Sequence, residues 1–109
     1  MRTIICRFQN QEELLNHLRQ PTAQSAPDMV TFLTGFQTQL GDPLKAIVVV
    51  ENVQEQCSIR ITPTKQLPST GQEDMWATTS QIHAQDQIWL QMFLSKLQML
   101  NHFSDAIAA

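Results

Sequence analysis

The stretch TGFQTQLGDPLKAIVVVENVQEQCSIRITP, Thr34 to Pro63, decides the architecture. It reads as the end of one strand, a turn at Gly41, Asp42 and Pro43, an apolar run, a polar turn at Asn52 to Glu55, and an alternating strand. The run Ala46 to Val50 is apolar at every position, so it is expected to be a strand buried on both faces. In QCSIRITP, Cys57, Ile59 and Ile61 alternate with Ser58, Arg60 and Thr62, which predicts one buried and one solvated face. The pair is a hairpin with a central strand and a half-exposed strand.

Working outward toward the N-terminus, MVTFLTGF alternates, with Val30 and Phe32 on one side, and ends at Gly35, so it reads as a further strand. Before it, QPTAQSAP carries two prolines among small polar residues and marks a surface connection. Thr3 to Phe8 is rich in β-branched and aromatic residues, with Ile4, Cys6 and Phe8 on one side. Asn10 with Glu13 three residues on forms a capping box, and Leu14, Leu15 and Leu18 give an apolar face; a short helix over residues 11 to 19 is expected.

On the C-terminal side, TKQLPSTGQED reads as a loop broken at Pro68 and Gly71, and MWATTSQI as a short strand. A long helix is expected from Gln87 to His102, because Gln87, Gln91, Ser95, Gln98 and His102 recur as one narrow polar stripe. Two apolar bands flank that stripe. Trp89, Leu90, Phe93, Leu97 and Leu100 form one, and Ile88, Met92, Met99 and Phe103 form the other, with Lys96 between them. A small sheet covers one such band. The second either packs on the first helix or a loop, or is a surface for a partner or another copy of the chain, a use to which methionines are suited. The residues assigned to that surface are Ile88, Met92, Lys96, Met99 and Phe103, with Arg60 joining Lys96 at its rim.

The expected fold class is α+β: a small antiparallel sheet or barrel of about five strands, with a short N-terminal and a long C-terminal helix. With 109 residues the chain is the size of one domain. A net charge of −3, with Arg and Lys scattered, argues against nucleic acid or an anionic membrane as the main partner, since both require clustered positive charge. The opening MRTIICRF is too short an apolar run for a signal peptide, and nothing later is long enough to insert into a membrane, so the cytoplasm is the expected compartment. Cys6 and Cys57 fall in apolar strand patterns and are expected to be reduced core thiols.

Chemistry-bearing motifs are sparse. His17, His83 and His102 lie on separate elements without ligand spacing, so no metal is expected. Asp28 and Asp42 sit beside prolines in turns, and Glu12 and Glu13 occupy a first helical turn, where the helix dipole favours negative charge. Gly35, Gly41 and Gly71 are too far apart to cradle a phosphate. Neither an enzyme nor a cofactor is expected.

The segment TGFQTQLGDPLKAIVVV, with its Leu40-Gly41-Asp42 turn, and IRITP at Ile59 to Pro63 resemble a PilZ domain of the subgroup associated with type IV pili. FQNQEELLNHL and IWLQMFLSKL are similar to that subgroup's short helical segment and closing helix. The resemblance implies a PilZ-like fold and a part in type IV pilus assembly, motility or cyclic di-GMP signalling. The chain departs from the family where cyclic di-GMP is held. Arg2 and Arg7 do not have the spacing of the arginine motif, and no serine turn lies between Asp28 and Gly35, so binding of that nucleotide is not expected. The expectation is therefore a non-enzymatic adaptor acting through its C-terminal helix on a protein partner or as a dimer. A small acidic dimeric secretion chaperone, holding a segment of an effector, is the alternative.

Overall fold

The computed structural model describes residues 1–22, 25–69, 71 and 74–108, with side chains to residue 100. Six strands form one sheet of order β1-β4-β5-β6-β3-β2. They are β1 (Arg2–Phe8), β2 (Leu18–Arg19), β3 (Met29–Thr34), β4 (Leu44–Val50), β5 (Glu55–Pro68) and β6 (Trp76–Ile82). The helices are α1 (Gln11–Leu15) and α2 (Ala84–Ala108), and a single 3-10 turn (Glu51–Val53) joins β4 to β5. The α+β class and the long C-terminal helix stand as expected. The sheet is mixed rather than antiparallel, because β1 pairs parallel with β4 while the other pairs are antiparallel.

The hairpin β4–β5 forms as the pattern required. Val48 pairs with Cys57, Ala46 with Ile59 and Leu44 with Ile61, and these pairs point into the core. Gly41, at φ +89°, makes the turn before β4, a conformation that an L side chain rarely adopts, and its N–H donates to the Pro63 carbonyl at 2.9 Å. Gln54 closes the second turn in the left-handed region, at φ 54°.

Three elements differ from expectation. Residues 11 to 19 are not one helix: α1 ends at Leu15, and Leu18–Arg19 is β2, leaving Leu14 buried and Leu15 exposed. The half-buried His17 explains the break. Its Nδ1–H donates to the Thr31 carbonyl at 2.9 Å and its own carbonyl accepts from Thr31 N–H at 2.9 Å, so the chain is drawn onto β3 although the His17 N–H still closes the last turn on the Leu14 carbonyl at 3.0 Å. Strand β5 does not stop at Pro63. It shifts register between Pro63 and Lys65 and pairs onward with β6 as far as Pro68, so TKQLP is strand and not loop. Finally, β4 is buried on one face only, with Ile47 and Val49 half-exposed on the other.

Helix α2 covers the inner face, packing chiefly on β5 and touching α1. Leu90, Phe93, Leu94 and Leu97 join Phe8, Val30, Phe32, Val48, Ile59 and Ile82 in one core. The sheet curls until β1 faces β3 across a cleft, and the Phe8 and Phe32 rings bridge the two strands with centroids 6.2 Å apart. Between β1 and β3 there is no backbone pairing among the described residues.

Candidate protein-contact surface on the C-terminal helix

At about 100° per residue, Leu90, Phe93, Leu94 and Leu97 share one side of α2, and all four are buried. The opposite side carries Ile88, Met92 and Met99, exposed at 59%, 58% and 74%. The second apolar band, from Ile88 to Met99, is thus left uncovered by the described residues. From Ile88 to Met99 it extends for roughly 16 Å, at 1.5 Å per helical residue.

Trp89 had been expected on the inner band and is instead 55% exposed. It stands at the border of the two arcs, and the inner arc is filled by Leu94, which is absent from the band expected of the sequence. The signal was available: the pair Phe93-Leu94 can be buried together only if the arc is rotated away from Trp89. Trp89 therefore belongs with Ile88, Met92 and Met99. Phe103 lies where side chains are outside the described residues.

The two charged residues assigned to the rim are engaged within the chain. Lys96 Nζ lies 3.0 Å from Glu55 Oε2, with both side chains partly exposed. Arg60 is bound to Asp86 in the first turn of α2. Its backbone N–H donates to Asp86 Oδ2 at 2.7 Å, Nε to the same oxygen at 3.0 Å, and Nη2 to Oδ1 at 3.0 Å. These hydrogen bonds from Arg60 hold the Asp86 carboxyl below its usual range, against the opposing effect of desolvation. Both contacts fix α2 on β5, and so fix the direction in which its outer face points.

Several other titratable groups are also engaged by the fold. Arg19 Nη2 pairs with Asp28 at 2.7 Å and lowers its pKa by hydrogen bonding. The His17 ring packs against Phe8 at 5.2 Å. Burial pushes the Cys6 thiol up to about 12 and raises that of the half-buried Cys57. Both face inward on a row with Val48 between them, two strand spacings apart, which is roughly 9.6 Å. That exceeds the reach of a disulfide. Among the described residues, no three His, Cys, Asp or Glu side chains gather where a metal ion could be held. Nor is any helix among them long and apolar enough to cross a membrane.

No family model and no curated protein matches this chain. The surface is accordingly read from its own chemistry. Burying one large apolar side chain contributes about 1.5–3 kcal/mol, so Ile88, Met92 and Met99 together supply roughly 5–9 kcal/mol as an upper figure. Association costs some 4–15 kcal/mol of lost freedom, so these three residues sustain a stable complex only with the help of Trp89 and contacts at the rim. A surface of this size suits reversible recognition.

Proposed function

We propose that this chain is a non-enzymatic protein-binding adaptor that acts through the outer face of α2. The observation that carries the reading is the exposed row Ile88, Met92 and Met99 beside Trp89 on a helix whose other side, at Leu90, Phe93, Leu94 and Leu97, is buried in the core. Scattered apolar residues are ordinary on a protein surface, whereas a contiguous row on a rigidly anchored element marks an interaction site. Methionines add adaptability to such a face. The shifted carboxyls of Asp86 and Asp28 are held by arginines that serve the fold, and the thiols of Cys6 and Cys57 are raised by burial, a pattern that favours binding over catalysis as the role of the molecule.

The resemblance of Leu40 to Asp42 and Ile59 to Pro63 to pilus-associated PilZ domains extends the proposal to a cytoplasmic role in type IV pilus or motility regulation, independent of cyclic di-GMP. The experiment is a comparison of wild type with Met92→Glu and Met99→Glu by light scattering and by capture from the source cytosol. The reading expects an unchanged far-ultraviolet spectrum and loss of either self-association or one defined partner. Unchanged molar mass together with unchanged capture would overturn it. Recovery of a single secreted effector in extended form would replace the adaptor with a secretion chaperone.

A further inference from the structure

The sheet ends at β1, where Arg2, its guanidinium 3.7 Å from the centroid of the Phe36 ring, closes one end of the outer edge and the stretch from Thr3 to Phe8 carries Arg7 as its single charge. β1 is seven residues long, contains no proline, and keeps an unbroken register with β4 from Arg2 to Phe8. Its second edge has no strand partner among the described residues and borders a cleft of about 240 Å³. The buried rings of Phe8 and Phe32 form the floor of that cleft, and the exposed Ile5 and Leu33 are its accessible apolar lining. On the far wall, β2 covers only Met29 and Val30 of β3, so Leu33 stands 47% exposed on an unpaired part of that strand.

The outer rows beside this edge have a distinct chemistry. Thr3, Ile5 and Arg7 on β1 lie in register with Lys45, Ile47 and Val49 on β4, and these with Arg60, Ser58 and Gln56 on β5. Ile5 is 59% exposed, and Ile47 and Val49 are half-exposed. None of these nine positions is acidic. Arg60 is answered by Asp86, but Arg7 and Lys45 form no ion pair among the described residues. The acid that lines the cleft together with Arg7 is Glu13, whose carboxylate accepts from the Gln9 N–H at 3.2 Å. A chain of net charge −3 therefore presents an apolar, positively charged sheet face next to a free strand edge.

We propose that the free edge of β1 takes an extended acidic segment of a protein partner by strand addition. Main-chain hydrogen bonds to β1 supply the common part of the affinity. Outward side chains of the added strand then stand beside Thr3, Ile5 and Arg7, where an apolar residue meets Ile5 and a carboxylate meets Arg7. Its inward side chains enter the cleft against Phe8 and Phe32. A second copy of β1 does not satisfy this edge, because the sequence RTIICRF has no carboxylate to meet Arg7. The proposal does not depend on the outer face of α2.

The test is selection from a display library of random ten-residue peptides on the full chain, followed by titration of the selected peptides against wild type, Arg7→Glu and Met92→Glu. Acidic peptides with alternating apolar residues are expected. Arg7→Glu should weaken them roughly five- to tenfold, the change expected when a cross-strand ion pair becomes a like-charge pair. Met92→Glu should leave them unaffected, and the bound peptide should slow hydrogen exchange along β1. Failure to enrich an acidic consensus, indifference to Arg7→Glu, or loss of binding in Met92→Glu would each overturn the proposal, the last by placing the peptide on α2. Concentration-dependent self-association abolished by Arg7→Glu would assign the edge to a second copy instead and likewise overturn it.

Discussion

Asp86 receives three hydrogen bonds from Arg60, one from the backbone N–H and two from the guanidinium. Asp86 is 7% exposed, whereas the Arg60 side chain keeps 45% of its surface in water. The carboxylate thus occupies the junction between β5 and the first turn of α2, where the helix dipole also favours negative charge. His83 N–H, bound to the Arg60 carbonyl at 2.9 Å, completes the joint.

Removing this carboxylate should loosen the helix on the sheet. Asp86→Ala leaves the Arg60 N–H without its acceptor and removes two charge-assisted bonds. Discounted for the exposure of Arg60, the cost is about 1–3 kcal/mol. Urea unfolding followed by tryptophan fluorescence should register the loss as a lower midpoint with an unchanged slope. A midpoint equal to that of wild type would deny Asp86 this role.

The same residue gives a pH dependence of defined sign. The folded-state pKa values of Asp86 and Asp28 are lowered by Arg60 and Arg19, so between the ordinary carboxylate value and the lowered folded values the unfolded chain binds more protons. Their contribution is fully present above the unfolded value of about 3.9 and is lost as pH falls through the folded values. Stability measured between neutral and acid pH should therefore fall on acidification, and Asp86→Asn should flatten part of that slope. An identical slope in the variant would assign the acid sensitivity to other groups.

The thiols should differ in reactivity. Burial holds Cys6 protonated with a pKa of about 12, while Cys57 is raised and less buried. At mildly alkaline pH a thiol reagent should modify Cys57 first and slowly, and Cys6 at the rate of unfolding. Mass spectrometry after mild oxidation should find no intramolecular disulfide, since Val48 separates the two residues on the sheet.

The two sides of α2 should respond in opposite ways to mutation. Leu97 is fully buried, so Leu97→Ala should cost about 2–5 kcal/mol in lost burial and cavity formation. Met92→Glu, on the exposed side, should change stability by only about 0.5 kcal/mol in either direction. Thermal unfolding of the two variants checks the contrast, which a large loss in Met92→Glu would contradict.

Gln66 ties the segment after β3 to the sheet. Its Nε2 donates to Thr78 Oγ1 at 2.8 Å and to the Phe36 carbonyl at 3.3 Å, while Oε1 accepts from Thr38 N–H at 3.0 Å. Gln66→Leu should destabilise the fold by about 1–3 kcal/mol, because the Thr38 N–H and Thr78 hydroxyl lose partners in partly buried surroundings. Faster hydrogen exchange at Thr38 is the accompanying sign, and unchanged exchange there would contradict it.

The sequence alone determined what depends on neighbours along the chain. Alternation placed Val30, Phe32, Ile59 and Ile61 on inner strand faces, the capping box placed the start of α1, and the spacing of Ile88, Met92 and Met99 set them on one side of a helix. Only the tertiary structure decided which partner each face would meet. The parallel pairing of β1 with β4 joins segments separated by α1, β2 and β3, and no local pattern encodes that choice. It makes β1 the end of the sheet and leaves Ile5, Ile47 and Val49 facing outward, although the unbroken apolar run had suggested burial on both faces. Register likewise set Arg60 against Asp86 across 26 positions and turned Trp89 to solvent. Periodicity states that a residue faces one side of an element; what covers that side is fixed by contacts distant in sequence, whose free energies no window of the chain contains.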